Sequence, residues 1–228
     1  LPQFKRWYSQ AGTPRVQASG HYDAQAQSYA LSLSQSCPAT PGQADKAPFV
    51  IPVSLGLVGL NGGALPLRTV PGAAGTDSHL LVLTEAAQSI TFVEVTEEPV
   101  PSILRGFSAP VVLDIDYSDA QLLTLLAADP DPFNRWEAGQ RLALRSAMQS
   151  IAEEPGAARA GALSDAYIAA LRQLLRSDQL DAAFKELALT LPSETYIAEQ
   201  LDVVDPQRIH TVREAMRLQL ATALRPDW

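Results

Sequence analysis

Val111-Val-Leu-Asp-Ile-Asp-Tyr117 runs straight into Ser118-Asp-Ala-Gln121. In the first part Val111, Leu113, Ile115 and Tyr117 fall on one face of an extended chain, and Asp114 and Asp116 fall on the other. That period of two marks a strand with one buried face. The second part has Ser and Gln three positions apart, the spacing at which a hydroxyl and an amide cap one helix start from both sides. A strand therefore hands over to a helix at residue 117, and the chain should change character there.

The composition does change there. Residues 1–117 hold 10 of the 13 Gly and 11 of the 17 Pro. The remainder is rich in Ala and Leu. The charge balance barely moves, at 6 basic against 9 acidic residues before the seam and 11 against 16 after it. The two halves differ in backbone punctuation, not in electrostatics.

Before the seam the pattern is one of short strands. Arg15–Tyr22 alternates weakly and Asp23-Ala-Gln offers a turn. Ser28–Ser34 alternates clearly, with Tyr29, Leu31 and Leu33 on one face. After a loop with three Pro, Phe49–Val58 is a long apolar strand, and Pro52 inside it predicts an edge or a bulge because it removes a ladder donor. Asn61-Gly-Gly63 is a turn, and Leu80–Leu83 and Ser89–Val95 are further strands. About seven short strands at turn-punctuated spacing predict a small antiparallel, Ig-like β-sandwich.

After the seam the pattern is one of consecutive helices. Asp131-Pro132 places an acceptor at a helix N-cap and Pro at its first position. The helix it opens carries Phe133, Trp136, Leu144, Met148 and Ile151 as an apolar stripe, before Gly156 and Gly161 interrupt. Ser164 caps a helix with Ile168, Leu171 and Leu175 on one face. A short helix over 180–190 stops at Pro192, Ser193 starts another, and Asp205-Pro206 opens a last one carrying Ile209, Val212, Met216 and Leu220. Helix pairs with short connections predict a solenoid-like array rather than a closed bundle.

Much chemistry is excluded by residue type and spacing. His21, His79 and His210 are far apart, and no HExxH places two imidazoles one helical turn apart on a metal. There is no GxSxG, and Cys37 before Pro38 reads as a small packed residue. Neither GxGxxG nor GxxxxGK[ST] occurs. The pairs Glu97-Glu98 and Glu153-Glu154 are adjacent, so their side chains diverge and read as solvated charge. Phe133 and Trp136 read as core. No catalytic, cofactor-binding or metal-ligating residue is assigned. A net charge of -8 gives no attraction for nucleic acid or an anionic membrane, and no apolar run approaches the ~20 residues of a bilayer span. One Cys, and no basic-then-apolar order at the N-terminus, suggest a soluble, cytoplasmic protein.

Three segments carry a family likeness. Phe4-x-x-Trp7-x-x-Gln10-x-Gly12-x-Pro14 resembles the junction in M1-family zinc aminopeptidases where the last helix of the catalytic domain gives way to a small β-sandwich. Cys37-Pro-Ala-Thr-Pro-Gly-Gln-Ala44 resembles the TPATPxQ loop of the bacterial aminopeptidase N branch. Phe107-Ser-Ala-Pro-Val-Val-Leu113, Tyr117-Ser-Asp and Phe133-Asn-Arg-Trp136-Glu-Ala-Gly-Gln140 resemble that branch's sandwich-to-helix crossing. After about residue 150 the likeness is unspecific.

The resemblance implies a peptidase that removes N-terminal residues using zinc in an HExxH…E helix pair, with a GxMEN strand for the substrate amine. None of these motifs occurs here, so no residue role carries over. It implies residues 1–12 as a remnant of the catalytic domain's last helix, 13–117 as the sandwich and 118–228 as the first part of a helical domain. The sandwich would act as a spacer and the helices as part of the active-site cap, with the rest of the parent chain as intramolecular partner and zinc only in the absent catalytic part. The alternative is a stand-alone Ig-like and helical scaffold that binds a protein or peptide. If the chain is an excised piece, Phe4, Trp7 and the stripe Ile209, Val212, Met216 and Leu220 have lost their cover. Self-association or a frayed first ten residues would then follow.

Overall fold

The computed structural model describes residues 2–153 and 163–227. The expected breaks at Gly156 and Gly161, and Glu154 of one acidic pair, lie outside them. The chain divides into two compact units, Leu1–Thr124 with Ala128–Asn134, and Leu125–Ala127 with Arg135–Trp228.

The first unit opens with a four-residue helix, α1 (Arg6–Ser9), followed by eight strands. These are β1 (Arg15–Asp23), β2 (Ser28–Ser36), β3 (Ile51–Val58), β4 (Ala64–Leu65), β5 (His79–Leu83), β6 (Ala87–Val93), β7 (Val100–Ile103) and β8 (Val112–Asp114). One sheet runs β6-β2-β1-β8, and β3 centres the other, pairing with β4, β5 and β7. The alternation in β2 is real, since Tyr29, Leu31 and Leu33 are all buried. They share one core with Val16, Ala18 and Phe92 of their own sheet and with Ile51, Val53, Leu55, Leu57, Leu81 and Leu83 of the other. Alternating faces meeting across two sheets make a β-sandwich.

Pro52 lies where β3 pairs with β5 alone, opposite Val82, while Leu55 pairs on both sides, with His79 and Ile103. The missing N–H is thus placed where one flank of β3 carries no neighbouring strand. Asn61-Gly-Gly63 forms the β3–β4 turn, with Gly59 and Gly63 bonded across it.

One strand expectation needs correcting, and one strand has no counterpart in the sequence reading. The run Val111–Tyr117 is a strand only over Val112–Asp114, and it joins β1 in parallel, Val16 opposite Leu113. The rest of the run leaves the sheet, and at its end the buried Tyr117 hydroxyl donates to the Pro101 carbonyl at 2.6 Å. The alternation persists in burial without a ladder to show for it. Strand β7 carries no period of two, since all four of its residues are buried and one of them is Pro101.

The second stretch holds α2 (Asp119–Ala128), α3 (Pro132–Ala152), α4 (Asp165–Arg176), α5 (Ala182–Leu189), α6 (Glu194–Ala198) and α7 (Pro206–Leu224). The capping box closes as read, with the Ser118 amide donating to Gln121 Oε1 and the Gln121 amide to Ser118 Oγ. Ser164, Ser193 and Asp205 cap α4, α6 and α7, and Asp181 caps α5. Helix α4 packs on α5 and α7, and α6 packs on α7, a run of paired helices.

The buried face of α3 is offset from the expected stripe. Ala138, Leu142, Ala143 and Ala147 are buried, whereas Phe133, Trp136, Leu144, Met148 and Ile151 are half-buried. Small residues let backbones approach closely, and the large ones fill the flanks. In α4 the inner position is Leu174, with Leu175 half-buried. The stripe on α7 is covered: Ile209, Val212, Met216 and Leu220 are at most 6% exposed, which removes one ground for expecting a sticky surface.

Candidate functional site

At the N-terminal end three glutamine side chains act as backbone surrogates. Gln10 donates from Nε2 to the Ala47 carbonyl at 2.9 Å and accepts the Ala47 amide on Oε1 at 2.7 Å. Gln35 treats Phe49 in the same two-bond way. Gln43 accepts the Ala11 amide and donates to the Ser9 carbonyl, both at 2.8 Å. Lys46 donates to the Ala11 carbonyl, Thr40 Oγ1 and Gln43 Oε1. Gly12 sits at φ +96, and a Cβ there would stand 3.2 Å from Cys37 Sγ. The segments 4–14 and 37–47 are therefore one clasp.

That clasp corrects the reading of the first ten residues. Trp7 is half-buried, its indole N–H donates to the Val50 carbonyl at 2.9 Å, and its ring lies 4.8 Å from that of Phe49. Gln3 donates to the Thr84 carbonyl at 2.6 Å, and Arg6 to the Pro48 carbonyl. Trp7 belongs to the sandwich rather than to a surface left without cover. Phe4 stays exposed, edge-on to Tyr8.

The most demanding chemistry lies at the turn after β7. Ser102, Arg105, Asp129 and Asn134 are each at least nine-tenths buried. Arg105 donates from Nε to Ser102 Oγ at 2.8 Å and from Nη1 to the Asp77 carbonyl at 2.6 Å, and its Nη2 lies 3.6 Å from Asp129 Oδ1. Asn134 donates from Nδ2 to Ser102 Oγ at 2.8 Å. The guanidinium covers Gly56, where a Cβ would fall 1.9 Å from Arg105 Cζ. Burial pushes the Asp129 carboxyl above the ordinary carboxylate range, while the Ser102 hydroxyl, the Asp131 amide and Arg105 pull it back. Among the described residues Arg105 Nη2 and Asp129 Oδ2 have no hydrogen-bond partner, so the cost of burying both charges is only partly repaid. The group ties together the Asp77 carbonyl, the turn after β7 and the start of α3.

The helical unit holds a hollow of about 300 Å3 whose lining includes Leu189, Leu191, Leu220 and Leu224 together with Arg213 and Arg217. Arg213 donates to the Pro192 carbonyl and Arg217 clamps Glu214, so both guanidinium groups are engaged. The three histidines stand apart, His79 against the Phe92 ring and His210 against Glu194. Among the described residues no group of three His, Cys, Asp or Glu is placed to hold a metal ion, and no helix is long and apolar enough to cross a membrane. Sequence reading missed the Arg105 cluster. Its one signal in the sequence is Asp131, whose Asp-Pro context predicts a helix cap.

Comparison with known proteins gives the same two-part order. A domain of unknown function (DUF3458) with an Ig-like fold matches residues 12–116, and its companion (DUF3458_C), described as ARM repeats, matches 119–228. Aminopeptidase N of Escherichia coli strain K12 is 39% identical over 226 residues, 98% of this chain and 25% of that protein. The chain belongs to the aminopeptidase N family. Aminopeptidase N of Haemophilus influenzae is 36% identical over the whole chain and that of Caulobacter vibrioides 38% over 98% of it. The chain spans about a quarter of the length of these aminopeptidase N relatives. A crystal structure of Legionella pneumophila aminopeptidase A in complex with aspartic acid superposes on the whole chain with a TM-score of 0.79, at 24% identity and over 24% of its own length, a likeness of fold.

Proposed function

We propose that this chain is the non-catalytic portion of a zinc-dependent aminopeptidase. Residues 13–117 act as a spacer, residues 118–228 form the first part of a cap over the active-site cavity, and residues 1–12 end the last helix of the catalytic part. Zinc and the groups that act on the peptide belong to that catalytic part, and the partner is the rest of the same chain, in the cytoplasm. The observation that carries this reading is the unbroken match to aminopeptidase N through both modules, combined with a sequence that holds no HExxH or GxMEN. The clasp supports the spacer role. A spacer must receive the incoming chain at a fixed place, and Gln3, Arg6, Trp7 and Gln10 hold residues 3–10 on the sandwich through long-range bonds. A cap that limits access also excludes bulk water and folded proteins from the reacting groups.

The test uses the purified chain with added zinc and an aminoacyl chromogenic anilide. No release above the buffer rate is expected, and zinc-dependent release by the pure chain would overturn the reading. In the longer protein, breaking the clasp with Gln43→Ala should raise cleavage of a folded protein's N-terminus relative to the anilide. An unchanged ratio would remove the spacer and cap roles while leaving the family assignment intact.

A further inference from the structure

The turn after β7 is conformationally costly. Leu104 sits at φ +61, Gly106 at +61 and Phe107 at +52, so two side-chain-bearing residues occupy the left-handed region. Such a turn persists only when its surroundings over-determine it. Here those surroundings come from the other side of residue 117. Asp131 uses both carboxylate oxygens: Oδ1 accepts the Asn134 amide and caps α3, and Oδ2 accepts the Gly106 amide at 2.8 Å. Asn134 reaches Ser102 Oγ, which already holds Arg105 Nε, and Asp129 faces the Arg105 guanidinium. The Phe133 ring packs on that of Phe107 at 5.2 Å. Every one of these contacts lies within the first compact unit, which takes in Ala128–Asn134.

We infer that Asp129–Asn134 form a latch that belongs to the sandwich, so that the first turn of α3 and the left-handed turn close and open together with the sandwich core. The seam of stability then runs inside a single helix, after Asn134, although the change of composition comes at residue 117. The physical reason is that neither side survives alone. Without the latch Arg105 is a buried charge facing no carboxylate, and without the turn Ser102 no longer receives Asn134. This inference does not depend on the catalytic history of the chain.

Native-state hydrogen exchange on the whole chain reads it out. The amides of Gly106 and Asn134 are bonded to one carboxylate and should exchange at a common free energy of opening. Ile51→Val in the sandwich core should speed both by the same three- to tenfold factor as the core amides of Leu31 and Leu55. Ala147→Gly in α3 should speed amides 143–150 and leave Gly106 and Asn134 unchanged. Ser102→Ala should speed Gly106 and Asn134 together, by tenfold or more, without moving 143–150. An Asn134 amide that follows Ala147→Gly, or that ignores both Ile51→Val and Ser102→Ala, overturns the inference.

Discussion

The bonds that fix the sandwich and the caps that start the helices of the array differ in reach. In the sandwich the work is done at long range: Gln3 reaches 81 residues along the chain to Thr84, Gln10 reaches 37 to Ala47, and Arg105 faces Asp129. In the array the helix starts are capped locally, with Ser164, Asp181, Ser193 and Asp205 each accepting amides two or three residues ahead, while long-range bonds such as Leu163 to Gln219 and Arg172 to Asp227 tie its helices together. Local bonds form as soon as a helix does, and each fails alone. Long-range bonds between buried groups form only with the fold, and removing one strands its partners. The loss of one buried long-range partner should therefore cost more than the loss of one helix cap.

The largest effect is expected at Asp129. Asp129→Ala leaves Arg105 buried without its carboxylate and should cost about 3–5 kcal/mol in urea unfolding of the sandwich. The same site sets a pH dependence. Its carboxyl is raised in the folded state, so its contribution is favourable below the unfolded value, about 4, and is lost as pH rises through the folded value. Asp129→Asn should flatten that fall in stability, measured as urea midpoints across the acid range. Next comes Gln43→Ala, which breaks two backbone bonds and one to Lys46 and should cost about 1–2 kcal/mol. The accompanying sign would be an amide of Ala11 that exchanges freely. The smallest is Asp205→Ala, the loss of one cap on α7, at about 1 kcal/mol by thermal unfolding. If Asp205→Ala proved as costly as Asp129→Ala, the contrast between a buried long-range partner and a local cap would collapse.

The same contrast explains what could be read from the sequence. The capping box at Ser118–Gln121, the Asp-Pro starts and the alternation of β2 involve residues that meet neighbours in sequence, and the folded chain shows them as read. Trp7 near a terminus offered no local sign that Val50 would receive its indole N–H. Strand β7 lost its period because both its faces are covered, and the buried face of α3 went to alanines that carry little hydrophobic signal. Arg105 was invisible for the same reason: a buried cation is defined by partners 24 and 29 residues away, at Asp129 and Asn134 through Ser102, not by its own flanks.

The clasp has a consequence for protease chemistry. The Lys46-Ala47 bond is a trypsin site by sequence, yet the Lys46 ammonium is engaged by three oxygens and Ala47 has both backbone groups taken by Gln10. A protease needs that side chain in its specificity pocket and that backbone extended in its cleft. Neither is on offer until the clasp opens, so cutting after Lys46 would serve as a clock for release of the N-terminal segment.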